Sequence, residues 1–464
     1  MAKLYIFGIG GTGARVLRSF TMMLAAGVNI KADEVVPIII DPDASNADLT
    51  RTVQLMNTYR AVSSNLMFTQ DVKTSFFRKK LNQLLTNDTL RIQDTDDKSF
   101  EQFIDLSSMD KPTQALMRIL FSKKNLDSSM DVGFKGNPNI GSVVLNQIVE
   151  SNDFMSFANS FAQDDKIFII SSIFGGTGAS GFPLLLKTLR TDKSIPNNAL
   201  INNAEIGAIT VLPYFKLEQS EESEIDSSTF ISKTKSALAY YENNISRNDQ
   251  INALYYIADD VANTYQNHEG GSMQKNDAHL VEFLSATAIV DFCNKQHPTT
   301  LNKELGLRDL VESVTFDSFY EEQQYQLFEP MTEFMMMSNC LTDRYDYYSS
   351  KSFGANYDNF KDIYGSSFMS YLVNMCKEYK QWLSEMKGNN RSLDLFNLNT
   401  KDKPFELLTG RKAKKVFSMK SDYDLVTDRL NVAVKKCQSK EGNDKFLEMY
   451  YLGTERLIKE KFNS

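Results

Sequence analysis

Two glycine-rich turns, Gly8-Ile9-Gly10-Gly11-Thr12-Gly13 and Gly175-Gly176-Thr177-Gly178-Ala179-Ser180-Gly181, each stand between a short apolar run and a helical pattern. Leu4-Tyr5-Ile6-Phe7 leads into the first, and Lys166 to Ser172 into the second. The patterns that follow run through Val16, Leu17, Phe20 and Leu24, and through Leu184, Leu185 and Leu189. Strand, glycine turn and helix, twice over, restrict the chain to folds in which a parallel strand hands on to a crossover helix. Further runs at Val35 to Ile40, Ile206 to Leu212 and Leu254 to Ala258 extend the strand set. The expectation is an α/β fold with a mostly parallel sheet that binds its ligand beyond the carboxyl ends of the strands.

Glycines in such a turn let the backbone approach a phosphate, and amides at the following helix N-terminus point at its oxygens. One such loop fits a dinucleotide site equally well, with Asp41 or Asp43 at the end of the second strand on the ribose, so a Rossmann-type NAD-binding oxidoreductase stays an alternative. The second loop shifts the balance, because two loops from different strands can hold one nucleotide's phosphates from two sides, with Thr177 adding a hydroxyl donor. Gly136-Asn137-Pro138-Asn139-Ile140-Gly141 reads as a third fixed turn ahead of a helix. Three loops on one sheet edge favour a nucleoside triphosphate.

In this order the motifs resemble the tubulin/FtsZ superfamily of GTPases. Gly8 to Gly13 is similar to the first phosphate loop of FtsZ, Asp41 to Leu49 (DPDASNADL) to its second, and Asn137 to Gly141 to its third. Gly175-Gly176-Thr177-Gly178 resembles the tubulin signature, although Phe174 stands where a small residue is usual and Ser180 where the last glycine is usual. Val211 to Phe215 resembles the strand and sugar-facing loop that follow, and the helix expected from Gln274-Lys275-Asn276-Asp277 resembles the family's central helix. The resemblance covers about residues 1–297 and implies a tubulin/FtsZ-like Rossmann-type domain, GTP/GDP as ligand, and Mg2+ held indirectly by Asp41 and Asp43. The implied nucleotide contacts are Gly8, Gly10, Gly11, Thr12, Gly13, Asp41, Asp43, Gly136, Asn137, Pro138, Gly175, Gly176, Thr177, Gly178, Ala179 and Ser180, with Asn276 or Asp277 on the guanine. It also implies a GTPase that assembles head to tail with itself, the next subunit supplying acids that activate water. The candidates for those acids are Asp309 and Glu312, in Gly306 to Glu312. The other function weighed is a nucleotide-dependent interaction module without a polymer, presenting its C-terminal domain to a protein partner.

The implied division is 1–273 for the GTP-binding domain, with a helical insertion at about 50–130 through Leu81, Leu84 and Leu85, then 274–297 for the central helix and 298–464 for a divergent, largely helical C-terminal domain. In the last, Phe368, Tyr371, Leu372, Met375, Tyr379, Trp382, Leu383 and Met386 recur at three and four residues, the spacing of a core stripe. Glu218 to Asp226 reads as a solvated acidic loop. With 42% hydrophobic residues and 31 Phe, the 464-residue chain has an ordered interior. A formal charge of −8 gives nucleic acid or an anionic membrane nothing general to attract, leaving only a local basic patch. Cys293, Cys340, Cys376 and Cys437 form no CxxC pair, and His268, His279 and His297 follow no ligand spacing, so neither zinc nor a disulfide framework is expected. No apolar run is long enough for a membrane span or a signal peptide, and the expected location is cytoplasmic.

Overall fold

The computed structural model describes the chain apart from residues 1, 44, 69–72, 93, 94, 96, 131–133, 135, 218–229, 247–249, 261, 262, 266–274, 298–300, 305, 310, 355–357, 401, 402, 415–419, 441, 463 and 464. The expected acidic loop, and with it Gln274, His268 and Pro298, lies outside the described residues.

The apolar runs become strands because their side chains are buried on both faces, as in a sheet sandwiched by helices. These are β1 (Lys3–Ile9), β2 (Glu34–Ile40), β5 (Lys166–Ser172), β6 (Glu205–Val211) and β7 (Ala253–Ile257). Two short strands, β3 (Lys80–Leu81) and β4 (Thr89–Leu90), and β8 (Leu301–Glu304) complete an eight-stranded sheet among the described residues, in the order β8-β7-β6-β5-β1-β2-β3, with β4 also on β2. Every pairing in it is parallel. The insertion expected to be helical therefore differs in part: Leu81 lies on an edge strand. Pro37 accounts for the two short pieces. β3 pairs with Glu34 and Val35 and β4 with Ile39 and Ile40, so the outer ladder is interrupted around the residue that has no N–H to give.

The chain leaves β1 towards β2 on one side and returns at β5 on the other, so β1 and β5 flank the switch point at which open α/β sheets bind ligands. Right-handed crossovers put the helices on either side of that point on opposite faces. These helices are α1 (Gly10–Ala26) and α2 (Ala47–Ser63), then α3 (Pro138–Leu145) and α4 (Gly176–Thr191).

The central helix, α5, spans Leu280–Asn294 and is buried at every residue but Asp291 and Asn294. It starts six residues later than Gln274 and ends before His297. The preceding residues, Asn276 to Ala278, stay outside the helix and are held by side chains from elsewhere, described below. The C-terminal region is largely helical, as expected, with α6 (Glu321–Thr342), α7 (Ser367–Lys387), α8 (Asp422–Ala433) and α9 (Gly442–Lys461). On α7 the expected stripe is buried except for Tyr371, which is exposed. Among the described residues no helix is long and apolar enough to cross a membrane.

Candidate functional site

Three glycine segments meet at the switch point. Gly10 has φ +71°, a conformation that costs an L side chain about 1–2 kcal/mol, and a Cβ there would lie 3.5 Å from Thr177 Cβ and 3.9 Å from Gly178 N. Gly176 in turn backs onto the third segment, where a Cβ would stand 3.1 Å from the backbone nitrogens of both Gly136 and Asn137. Gly136 also has positive φ, +72°. Its carbonyl accepts from Lys233 Nζ at 2.9 Å, which brings to this edge a cation that the sequence reading did not single out.

The helices that open from the two glycine-rich turns, α1 and α4, are preceded by Ile9 and Gly175, neither of which has a side chain able to cap, and neither first turn contains an acid. Their amide ends therefore suit an anion. By contrast, α2 is capped by Asn46, whose Oδ1 accepts from Asp48 N at 2.9 Å and Leu49 N at 3.4 Å.

Other expected contacts have structural duties. A Cβ on Gly178 would come within 2.6 Å of the Ser172 carbonyl oxygen, and one on Gly13 would clash with the Gly8 backbone. The missing side chains thus face the preceding strands and let helix and strand close up. Ser180 Oγ donates to Gly176 O at 2.7 Å, and its side chain fills the space beside Gly141. Pro138 is the first residue of α3, where its missing N–H costs nothing. Gly11, Thr177 and Ala179 are half-buried and Thr12 is buried.

Asp41 and Asp43 are buried at the carboxyl end of β2, with Asp43 N donating to Asp41 Oδ1 at 3.1 Å. Burial, with Asp43 alongside, pushes the Asp41 carboxyl up to about 7. A divalent cation would relieve that cost, and a pair of hard carboxylate oxygens is the donor set that magnesium takes when phosphates complete its shell.

Beside this edge lies a buried polar hub absent from the sequence reading. Arg15 on α1 donates from Nε to Glu282 Oε1 at 2.6 Å, from Nη1 to Asp48 Oδ2 at 3.1 Å and from Nη2 to Tyr214 OH at 2.6 Å. Tyr214 OH donates to Glu282 Oε1 at 2.9 Å. Asp48 accepts from both the backbone N (3.1 Å) and Nδ2 (3.2 Å) of Asn276. Burial raises the Asp48 carboxyl, opposed by Arg15.

Glu385 of α7 makes a second junction. Its carboxylate accepts from Arg18 Nη1 at 2.7 Å, Arg51 Nη2 at 2.5 Å and Ala278 N at 3.0 Å. Burial works to raise it, but the two arginines outweigh burial and hold the carboxyl below its ordinary range. The segment 276–278 is thus clamped between Asp48 and Glu385, and α5 starts only after it.

His279 N donates to Glu282 Oε2 at 3.1 Å while His279 Nδ1 accepts from Val281 N at 3.1 Å, a reciprocal cap for α5. A polar residue followed three places later by Glu, just before an apolar run, was the available signal for this start. Asn276 and Asp277 consequently precede the helix, and no helical geometry separates them; Asp277 is exposed. The other described histidine, His297, stacks on Phe292 at 5.1 Å between ring centroids.

Asp309 and Glu312 share no helix face. Both are exposed in non-helical chain, Asp309 Oδ2 accepting from Arg308 Nε at 3.0 Å. The segment runs along a cleft of about 310 Å³ at the carboxyl ends of β6 and β7, lined in part by Leu280, Leu284, Leu307 and Arg391. Arg391 pins it there, donating from Nη1 to Val311 O at 2.8 Å and from Nε to Asp259 Oδ1 at 2.6 Å.

A switch point flanked by glycine loops, a buried helix leading out of the sheet, and helices beyond it make an α/β fold with a parallel sheet, as the sequence implied. No family model and no curated protein matches the chain. Among solved structures, CetZ2 from Haloferax volcanii, described as a GTPγS-bound protofilament, is similar at 13% identity over 56% of this chain and 49% of that chain, with a TM-score of 0.27. CetZ from Methanosaeta thermophila strain DSM 6194 is similar at 17% identity over 56% and 46% of the two chains, with a TM-score of 0.29. The match spans about half the length of either structure, and at these TM-scores it carries no argument about residues or chemistry.

Proposed function

We propose that the chain is a tubulin/FtsZ-like GTP-binding protein that hydrolyses GTP and assembles head to tail. The observation that carries this reading is the mutual packing of three glycine segments at the switch point, where two uncapped helix N-termini open beside a buried pair of aspartates. A dinucleotide needs only the first of these loops; a triphosphate uses all three. In this reading the amides after Gly10 and Gly175, with Thr177 and Lys233, neutralise phosphate charge. Asp41 and Asp43 would hold magnesium, which when bound screens the β and γ phosphates. Asn276 or Asp277 takes the guanine edge, where a carboxylate acceptor matches the N1 and N2 donors. Asp309 and Glu312 would act on water in a neighbouring subunit. The test is the nucleotide released from purified protein on denaturation: guanine nucleotide supports the reading, and NAD overturns it.

Glu385 favours a second reading, a nucleotide-gated interaction module. It joins the C-terminal α7 to the segment that would read the base, so ligand occupancy has a direct route to a partner surface. Saturable GTP binding without turnover or assembly selects this one.

A further inference from the structure

The helix Lys111–Leu120, in the insertion after β4, is well formed: Asp110 caps it by accepting from Thr113 N at 2.8 Å, and Pro112 sits in its first turn. Yet none of its ten residues is buried. It is tied down by Gln114, whose Nε2 donates to Met109 O at 2.8 Å, and by half-buried Met117, which packs on the core. The opposite side presents Leu116, Ile119 and Leu120, which are 53%, 80% and 60% exposed. At i, i+3 and i+4 they form one face. From residue 111 to 126 the sequence has Lys111, Arg118, Lys123 and Lys124 and no acid, in a chain whose net charge is −8. Lys123 and Lys124 open the next short helix, Lys123–Leu126.

We propose that this helix is an interfacial anchor for an anionic lipid bilayer, with Leu116, Ile119 and Leu120 entering the acyl boundary and Lys123 and Lys124 meeting headgroup phosphates. The choice of occupant rests on charge complementarity and shape. Lys123 and Lys124 follow directly on the apolar side chains, so a soft anionic surface laid on that face meets these two cations, while Lys111 and Arg118 lie on the helix's other side. Three apolar side chains give only weak, reversible attachment, which a multi-subunit assembly would strengthen by avidity. The proposal does not depend on nucleotide binding.

The experiment is co-sedimentation of the full chain with vesicles of phosphatidylcholine alone, or with about one third phosphatidylglycerol. Binding is expected only to the anionic vesicles, weakening as salt rises. It should be lost in the variant Leu116→Gln with Ile119→Gln and Leu120→Gln. In Lys123→Gln with Lys124→Gln, which leaves the apolar face intact, binding should fall roughly thirtyfold. All five substituted positions are exposed and Gln114 and Met117 are left unchanged, and circular dichroism checks that the variants fold. No binding by the wild type, or equal binding by both folded variants, overturns the proposal. So does a wild-type dimer in sedimentation that the triple glutamine variant converts to monomer, since a second copy would then cover the face.

Discussion

Arg15 and Glu282 stand 267 positions apart in the sequence, yet Nε of one donates to Oε1 of the other at 2.6 Å with both side chains buried. The contact ties the helix after the first glycine loop to the start of the central helix. Removing one member of a buried pair leaves the other charged and unpaired, at a cost of about 3–5 kcal/mol. Glu282→Ala should therefore lower stability by about that much, whereas Arg15→Met with Glu282→Met should cost less than the sum of the singles. Urea denaturation of the four-member cycle measures this; additive costs would show that the pair is not coupled.

Thr177→Ala and Gly178→Val should separate binding from folding. Loss of a hydrogen bond to a charged group costs about 1.5–3 kcal/mol, so Thr177→Ala should weaken GTP binding by roughly ten- to a hundredfold with little change in melting temperature. Gly178→Val drives a side chain into the Ser172 backbone and should unfold or strongly destabilise the protein. Calorimetry with GTP and thermal melts of both variants decide it. A stably folded Gly178→Val protein would contradict the packing described for this glycine.

Asp41 gives a pH dependence of definite sign. Its folded carboxyl titrates near 7 against an ordinary 3.8, so between those values the folded state binds more protons than the unfolded one. Stability therefore falls as pH rises through this window, by on the order of a few kcal/mol in the absence of metal. His279 acts oppositely: burial lowers it to about 4 from 6.5, so its contribution is lost as pH falls through that range. Asp41→Asn should remove the first effect and leave the second, giving a protein more stable than wild type at pH 8 without magnesium. Urea midpoints across pH test this, and an unchanged profile in Asp41→Asn rules it out.

Assembly should show in the rate law. If Asp309 or Glu312 completes a neighbour's site, turnover per subunit rises with protein concentration and drops in Asp309→Ala with Glu312→Ala. Both residues are exposed, so the double variant should fold as the wild type does. Turnover strictly proportional to protein, equal in both proteins and without any pelletable species, leaves the monomeric switch as the better account.

Base choice should move with the segment 276–277. Alanine at the residue that accepts from guanine should narrow the preference for GTP over ATP, because adenine offers one donor where guanine offers two. Competition binding with both nucleotides measures it; wild-type preference in both single variants removes this segment from base recognition.

The sheet was legible because its strands are buried on both faces: Glu34–Ile40 shows its composition without any long-range information. The glycine loops were legible too, since backbone approach and helix start leave a local trace. What could not be read is non-local. Arg15 and Glu282 look like ordinary surface residues, and Asp48 and Tyr214, although inside the segments 41–49 and 211–215, carry no local sign of the contacts by which the fold gathers all four. The late start of the central helix has the same origin, because Asp48 and Glu385 hold 276–278 against a helical continuation. Asp309 and Glu312 likewise stand outside any helix, where Arg391 of the C-terminal region holds the carbonyl of the neighbouring Val311.

Glu385 is the sole carboxylate reached by side chains from both α1 and α2 among the hydrogen bonds described above, and Trp382, one turn earlier on α7, donates from Nε1 to Ser19 Oγ at 3.2 Å. A fragment ending before α7 would strand Arg18 and Arg51 beside an uncovered apolar groove. The sheet and the C-terminal helices are therefore tied in synthesis: a ribosome that has released only the glycine loops has not yet made the α7 carboxylate that neutralises Arg18.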